Sequence, residues 1–290
     1  MPASLNTVSV REKGRNAGGA VVSAYCPDGS DELSGQSTAL LLVHGYNNSR
    51  DAANDSFATF IRDLEAATGR SPLPWPVFGV QWPGDESNPV EGVMAYPSKI
   101  KVAAQAADKL VELMRGAFGP DGSPIVLNFV GHSLGCRLIA DLLEAMSDRW
   151  NEFNVVVDRV ALMAAAVPTD RCQSDGNLRG GLDFAGGVAA LYSRGDWVLQ
   201  YTFPPGQTAG GDGFFPVAVG RNGDPSDAFR LKAAMSGANG AYVHSDYWPG
   251  AESAAAVAGF LRMPVPASIP DAVIPSRQLP PTNTIASRTL

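Results

Sequence analysis

The sequence predicts an α/β fold in which a mostly parallel central sheet carries helices on both faces. From residue 39 to 262, short apolar runs alternate with helical patterns, the order typical of parallel strands joined by crossover helices. The apolar runs are rich in valine and leucine, as expected for strands buried on both faces. Hydrophobic residues make up 45% of the 290-residue chain and charged residues 18%, so a large core can form.

Five apolar runs are predicted strands, and four longer segments are predicted helices. The strand candidates are residues 39–44, 77–82, 125–130, 155–164 and 188–193. The helix candidates, placed by apolar periodicity and by capping residues, run from Asp51 to Thr68, from Pro97 to Met114, from Leu138 to Met146 and over residues 251–262. The strands and helices alternate along the chain, which is what the fold class requires.

Composition divides the chain into three regions. We expect residues 1–37 to be an N-terminal extension or edge hairpin, residues 38–263 to be the main domain, and residues 264–290 to be a Pro-rich tail. Within the main domain, residues 168–187 and 204–227 are rich in Gly, Asp, Asn and Pro, which predicts long surface loops that border a pocket.

Charge and cysteine content exclude several functional classes. With 22 basic and 29 acidic residues the net charge is −7, so a nucleic-acid partner is not expected. The three cysteines are widely spaced without a CxxC pattern, which indicates neither a disulfide framework nor a metal site. The N-terminus lacks the apolar core of a signal peptide, and no apolar run reaches the roughly 18 residues of a membrane span. A cytoplasmic protein is therefore expected.

A serine in a strand–turn–helix segment is the candidate nucleophile. Residues 125–135 read IVLNFVGHSLG, with Ser133 at the centre of the pentapeptide GHSLG, and a helical pattern follows. This G-x-S-x-G arrangement is typical of a nucleophile elbow, where side chains in place of the glycines would collide with the adjacent elements. The N-terminus of the following helix would direct the N–H of Leu134 at a developing oxyanion. The alternative is an ordinary Gly/Ser turn.

The general base follows from the small number of histidines. The chain contains His44, His132 and His244, and histidine suits proton transfer near neutral pH. His132 adjoins the nucleophile on the turn, and His44 belongs to the loop after the first strand. His244 remains, between an apolar stretch and the last helix, as the candidate partner of Ser133. A structural or solvent-exposed histidine is the other interpretation.

The acid is expected after a strand that lies between Ser133 and His244 in the chain. Asp196 fits this position because it follows the apolar run that ends at Ser193. Its carboxylate would accept the second ring N–H of His244 and fix the tautomer. Three other aspartates in the interval lack a preceding strand: Asp170, Asp183 and Asp212. Asp196 could alternatively serve only to turn the chain.

Four motifs in sequence order carry a resemblance to a known superfamily. HGYNN, GHSLG, SRGDWVL and VHSDYW follow one another along the chain. With them, residues 38–262 resemble the alpha/beta-hydrolase superfamily, and within it a group of uncharacterised bacterial hydrolases and esterases. The resemblance implies a catalytic domain with a Ser133–His244–Asp196 triad and no cofactor. It implies little about substrate, because one fold supports many chemistries.

The resemblance also implies further site residues. In this fold the loop after the first strand supplies a second oxyanion N–H, for which Tyr46 is the candidate and Asn47 the reserve, beside Leu134. Asn47 is also expected at the substrate, together with His44 and with Trp82, which belongs to a QWP motif after a strand. An ordinary strand-to-helix turn is the other interpretation of HGYNN.

The expected reaction is cleavage of a small-molecule carboxylic ester through an acyl-enzyme on Ser133. Thioester hydrolysis and acyl transfer use the same constellation and stay open. So do a non-catalytic hydrolase-fold protein that binds a ligand, and a peptide or lipid partner recruited through the Pro-rich tail. Phe203, Phe214 and Phe215 are expected either to line an acyl pocket or to be plain core. No motif indicates an oligomeric state.

Overall fold

A computed structural model describes residues 5–27, 33–86, 95–237 and 241–262. Within these residues, eight strands form one sheet: β1 (Leu5–Arg11), β2 (Val21–Tyr25), β3 (Thr38–Val43), β4 (Val77–Gln81), β5 (Ile125–His132), β6 (Val155–Met163), β7 (Gly187–Tyr192) and β8 (Leu231–Ala234). Their order across the sheet is β2-β1-β4-β3-β5-β6-β7-β8. Only the pairing of β1 with β2 is antiparallel among these strands, so the predicted fold class is confirmed.

The α-helices of the described residues lie between these strands, except the last, which follows β8. They are α1 (Arg50–Thr68), α2 (Tyr96–Ala117), α3 (Leu134–Ser147), α4 (Arg179–Phe184), α5 (Phe203–Gly210), α6 (Val219–Asn222) and α7 (Ala251–Leu261), with a π-helical turn at Val198–Thr202. The crossover from β3 through α1 to β4 and the crossover from β4 through α2 to β5 run in opposite directions across the sheet. Because such crossovers are right-handed, they place α1 and α2 on opposite faces. None of the described helices is long and apolar enough to cross a membrane.

Helix α1 shows how local sequence sets the boundaries of an element. The side chain of Ser49 caps its start by accepting a hydrogen bond from the N–H of Ala52. Gly69 ends it in the left-handed conformation, with φ at 66°. Phe57 and Phe60 are fully buried on its inner face, where both rings pack against the indole of Trp248 at centroid distances of 5.4 and 5.1 Å. The helix is thereby tied to the loop that carries His244.

The structure corrects the sequence-based expectation for the two Gly/Pro-rich segments. Residues 168–187 contain α4, and residues 204–227 contain most of α5 and all of α6. These helices are short and show no apolar period, which is why the pattern does not reveal them. In α5 the prolines stand at its start, directly after the π-helical turn at Val198–Thr202. Strand β8 was also not predicted, because its sequence LKAA has little β-branched character.

The described N-terminal residues form a hairpin at one edge of the sheet. Strands β1 and β2 pair antiparallel, and β1 also pairs in parallel with β4. The domain limits at residues 37 and 263 stay a prediction, and the tail at 264–290 lies outside the described residues.

A buried arginine anchors this edge to the loops at the carboxyl ends of the strands. The side chain of Arg11 is fully buried and lies 2.7 Å from the carboxylate of Asp85. It also donates hydrogen bonds to the carbonyl oxygens of Asn48 and Trp82, at 3.1 and 2.7 Å. A charge removed from water is tolerated only when it is paired and hydrogen-bonded in this way. Arg11 therefore fixes the loop after β3 against the loop after β4.

We expect Arg11→Met to lower the free energy of unfolding by about 3–5 kcal/mol, because the substitution leaves the buried Asp85 carboxylate without its partner. Urea denaturation measures the change. Arg15→Met is the matched control: Arg15 pairs with Glu12 at 2.8 Å, but its side chain is 54% exposed, so its loss should cost less than about 1 kcal/mol. Equal effects of the two substitutions would contradict the role of Arg11.

Candidate active site

The turn between β5 and α3 presents Ser133 in a backbone conformation that residues other than glycine rarely adopt. Its φ is 55° and its ψ is −124°. The turn is fixed on both sides, since the N–H of Ser133 donates to the carbonyl oxygen of Met163 on β6 and its carbonyl oxygen accepts from the N–H of Ala166. Such strained positions persist where the surrounding structure fixes them, and they cluster at functional sites. The strand–turn–helix segment predicted from the sequence is present, with Ser133 on the turn.

Three glycines permit the close packing around this turn. A Cβ on Gly131 would lie 2.6 Å from the side chain of Ile139, and a Cβ on Gly135 would lie 2.3 Å from the carbonyl oxygen of His44. Gly45, in the loop after β3, approaches the nucleophile itself, because a Cβ there would lie 2.8 Å from the Cβ of Ser133. The GHSLG pattern indicates the first two. The role of Gly45 depends on a contact between distant segments, which the sequence pattern does not show.

Ser133, His244 and Asp196 form a continuous hydrogen-bonded chain. The Oγ of Ser133 lies 2.8 Å from Nε2 of His244, and Nδ1 of His244 lies 2.7 Å from Oδ2 of Asp196. Asp196 is fully buried, and its Oδ1 accepts a hydrogen bond from the N–H of Leu199 at 3.0 Å. The carboxylate is therefore held in place to orient the imidazole.

The other aspartates considered from the sequence have different surroundings. Asp183 pairs with Arg179 at 2.9 Å. Asp212 forms ion pairs with Arg137 and with Arg171. Of the candidate acids, Asp196 is the one that the structure brings to His244.

Two hydrogen bonds and a set of ring contacts hold the loop that carries His244. The hydroxyl of Ser193 donates to the carbonyl oxygen of Tyr242 at 2.8 Å. Nε2–H of His132 donates to the carbonyl oxygen of His244, also at 2.8 Å. The ring of His132 lies 5.9 Å from that of Trp248. The elbow residue next to the nucleophile thus fixes the main chain of the candidate base, a role that the sequence did not reveal.

The loop after β3 is braced from within and from β4. The ring of His44 stacks on Trp82 at 5.6 Å. Nδ1–H of His44 bonds the carbonyl oxygen of Gly45, and its Nε2 accepts from the N–H of Trp82. The indole of Trp82 in turn donates to the carbonyl oxygen of His44 at 2.9 Å. Both side chains are fully buried. Their geometry supports a role in shaping the loop and does not support the substrate contact expected for them.

The candidate oxyanion donors lie on this loop and on α3. Leu134 is the first residue of α3, where N–H groups have no intrahelical acceptor. The N–H of Asn47 donates to the carbonyl oxygen of Gly84 at 3.0 Å, so it is already engaged. The side chain of Asn48 bonds the carbonyl oxygens of Gly45 and Tyr46. Between the two residues considered on the loop, this arrangement favours Tyr46 over Asn47.

Two cavities meet at Tyr46 and His244. The first, of about 420 Å³, runs along α1, and most residues that line it carry polar groups: Asn48, Asp55, Ser56, Thr59, His132 and Ser245, with Trp248 and Pro249. We call it the polar cavity, because it offers more hydrogen-bonding groups than the second. The second, of about 390 Å³, is the apolar cavity: it contains Ser133 and is lined by Tyr96, Ala166, Trp197, Val198, Leu199, Thr202 and Phe203, with Asn47 at its edge. Ser133 therefore lines the more apolar of two adjoining cavities.

The three phenylalanines expected at an acyl pocket or in the core separate in the structure. Phe203 is buried and lines the apolar cavity. Phe214 and Phe215 are 85% and 57% exposed and line neither cavity. Neither expectation holds for these last two residues, because the chain turns outward after α5 and places both rings in solvent.

Two of the histidines are unsuited to proton transfer near neutral pH. Burial lowers the pKa of His44 to about 3. Burial, together with the neighbouring His244, lowers the pKa of His132 to about 3. Both rings therefore stay neutral while they hold the loops around Ser133.

We expect the His44 and His132 ring signals to stay unshifted in an NMR titration between about pH 4.5 and 9. Because His244→Gln lacks the third histidine, the two ring signals that remain in its spectrum belong to His44 and His132. Because an unfolded histidine takes up a proton near pH 6.5 and these folded ones do not, the free energy of unfolding should also fall as the pH drops from about 6 toward 3. A midpoint above about pH 5 for either ring would contradict their burial as neutral groups.

Comparison with known proteins places the chain in a family. The model of a family described as alpha/beta hydrolase of unknown function (DUF900) matches residues 31–202. A comparison with curated proteins finds no match.

Among solved structures, the chain is similar to the lin2722 gene product of Listeria innocua, with 12% identity over 78% of this chain and 94% of that one and a TM-score of 0.41. It is also similar to an esterase/lipase from an uncultured bacterium, with 13% identity over 78% and 76% of the two chains and a TM-score of 0.36. Carboxyl esterase 2 of the fungus Tuber melanosporum has 14% identity over 77% and 75%, and a TM-score of 0.39. Since the family model covers more than half of the sequence, the chain belongs to the DUF900 family of alpha/beta hydrolases.

Proposed function

We propose that the protein hydrolyses carboxylic esters through an acyl-enzyme on Ser133. The observation that carries this proposal is the hydrogen-bonded chain from Asp196 through His244 to the Oγ of Ser133, at 2.7 and 2.8 Å. A serine hydroxyl becomes a nucleophile when an adjacent base can take its proton and a third group orients that base. Each of the three groups stands at hydrogen-bonding distance from the next.

In the first half of the reaction, the Oγ of Ser133 attacks the ester carbonyl as its proton passes to Nε2 of His244. The buried carboxylate of Asp196 stabilises the imidazolium that forms. The N–H groups of Leu134 and Tyr46 hold the negative charge on the carbonyl oxygen. His244 then protonates the departing alkoxide, and the alcohol leaves. In the second half, water attacks the acyl carbonyl as His244 takes its proton. The bond between the acyl carbon and Oγ then breaks, His244 returns the proton to Oγ, and the carboxylic acid leaves.

The two cavities suggest how an ester would lie. We assign the acyl group to the apolar cavity, because that cavity contains Ser133 and is walled by Val198, Leu199 and Phe203. The alcohol is assigned to the polar cavity, which shares Tyr46 and His244 with the apolar one and where Asp55 and Thr59 offer hydrogen-bonding groups. The favoured substrate is then an ester of an apolar acid with a hydroxylated alcohol.

The triad is tested by labelling with a fluorophosphonate and by turnover of p-nitrophenyl butyrate. We expect one adduct, on Ser133, and its loss in Ser133→Ala and His244→Gln. Turnover should fall by roughly 10⁴- to 10⁶-fold in these variants and by about 10⁴-fold in Asp196→Asn, in which the orienting carboxylate is lost.

Ser147→Ala is the matched control, since it removes a serine at the far end of the same helix and should retain both adduct and turnover. An adduct that persists in Ser133→Ala, or a native chain that neither labels nor turns over esters, would sink the proposal.

The acyl assignment is tested by narrowing the apolar cavity. Thr202 lines this cavity from an exposed position, so Thr202→Phe should fill space without disturbing the core. We expect kcat/KM for an octanoyl ester to fall about tenfold or more relative to an acetyl ester, because each excluded methylene forfeits about 0.8 kcal/mol.

Thr59→Val, in the polar cavity, is the control and should leave the chain-length preference unchanged. If Thr59→Val shifts the preference and Thr202→Phe does not, the two assignments must be exchanged.

A further inference from the structure

Beside the mouth of the apolar cavity the protein exposes an unusual number of large apolar side chains. We call this set the outer aromatic face; it comprises Trp197, Tyr201, Phe214, Phe215 and Val217, which are 57%, 68%, 85%, 57% and 45% exposed. Scattered single exposures of this kind are ordinary. Several within one short stretch of chain, next to a cavity, indicate a binding surface.

The helix after Asp196 places Tyr201 on its outer side. The π-helical turn Val198–Thr202 continues directly into α5, and the buried residues of this continuous helix are Leu199, Phe203 and Gln207. Residues four positions apart lie on the same side of a helix, so these three buried residues define the side that faces the protein interior. Tyr201 and Thr208, seven positions apart, share the outer side.

A hydrogen bond brings the two phenylalanines to the same outer side. The N–H of Phe215 donates to Oγ1 of Thr208 at 2.8 Å, and the rings of Phe214 and Phe215 lie 5.2 Å apart. Tyr201 in the π-helical turn and the phenylalanine pair after the end of α5 are therefore joined through the outer side of one helix.

This stretch of chain presents almost no charge. From Trp197 to Gly220 the only charged residue is Asp212. Its carboxylate is buried and paired with Arg137 and Arg171. Because these ion pairs hold the Asp212 carboxylate inside the protein, no charged side chain of this stretch opposes contact with an apolar phase.

The outer aromatic face is continuous with the candidate active site. Trp197 is more than half exposed, and it also lines the apolar cavity that contains Ser133. Asp196, the residue before it, belongs to the triad. An apolar phase that contacts this face would therefore lie directly at the entrance to the cavity.

We propose that the outer aromatic face docks on the surface of an uncharged or zwitterionic lipid assembly. Tryptophan and tyrosine favour such interfaces because each combines an apolar ring with a polar group that stays in water. The net charge of −7 opposes approach to an anionic surface. Docking presents the apolar cavity to lipid chains. That the docked lipid supplies the ester cleaved at Ser133 rests on the proposed function, whereas the docking itself does not.

The test is flotation of the full chain with phosphatidylcholine vesicles, in the Ser133→Ala background so that no lipid is consumed. We expect the protein to float with these vesicles and to bind vesicles containing phosphatidylserine no more strongly. Tyr201→Ser combined with Phe214→Ser should lower the partition coefficient at least about tenfold, because both side chains are exposed in the free protein and become buried at the lipid surface.

Trp150→Ser is the matched control. Trp150 is 48% exposed, but it lies in the short turn before β6, at the amino end of a strand, away from the carboxyl ends that carry the site. Its substitution should leave flotation unchanged. In a chain that retains Ser133, Tyr201→Ser combined with Phe214→Ser should leave the melting temperature and the turnover of soluble p-nitrophenyl acetate unchanged. This measurement separates loss of docking from loss of folding or catalysis.

The outcomes distinguish the two proposals. Flotation that depends on Tyr201 and Phe214 supports docking even if no ester is hydrolysed, and hydrolysis of soluble esters without flotation leaves the proposed function standing while it overturns docking. Docking is also overturned if the double variant floats as the native chain does. Docking is likewise overturned if the native chain fails to float and sediments as a dimer while the double variant sediments as a monomer. The outer aromatic face is then an interface between two copies of the chain.

Discussion

The site depends on holding Ser133 at a positive φ on the turn between β5 and α3. Such a conformation costs of order 1–3 kcal/mol and persists only when its surroundings leave no alternative. Here the carbonyl oxygen of Met163 fixes the N–H of Ser133, and the backbone of the loop after β3 approaches the turn so closely that only glycine fits at positions 45 and 135. The sheet register supports this approach, since Val43 lies opposite Gly131. The strain is thus stabilised by the two neighbouring strands.

Once the turn is fixed, the remaining groups are positioned by cross-links between loops distant in sequence. The loop that carries His244 is bonded to β5 through His132 and to the end of β7 through Ser193. The loop after β3 is held by Arg11. His132 and His44 stay neutral because both rings are buried. They therefore add no positive charge beside the imidazolium that the proposed reaction forms. The two buried rings therefore hold the loops without changing the net charge around Ser133.

The surface around the site reverses the usual separation of charge and apolar side chains. Asp212 and Arg137 lie inside, where they pair with each other, while Trp197, Tyr201 and Phe214 lie outside. Burial of an ion pair contributes little net stability, and exposed aromatic rings are unfavourable in water. This arrangement is explained if the outer aromatic face meets an apolar phase next to the cavity. The proposed ester chemistry and the proposed docking then concern the same entrance.

The sequence by itself determined the fold class, the limits of most strands, the elbow at Ser133 and the candidates His244 and Asp196. These follow from local rules: the alternation of apolar runs, the sterics of a strand–turn–helix segment, and the presence of only three histidines. Only the tertiary structure decided that His44 and Trp82 are buried supports, that short helices interrupt the Gly/Pro-rich segments, and that Phe214 and Phe215 point into solvent. The reason is physical: a side chain's burial depends on which distant segments pack against it, and no local pattern records those contacts.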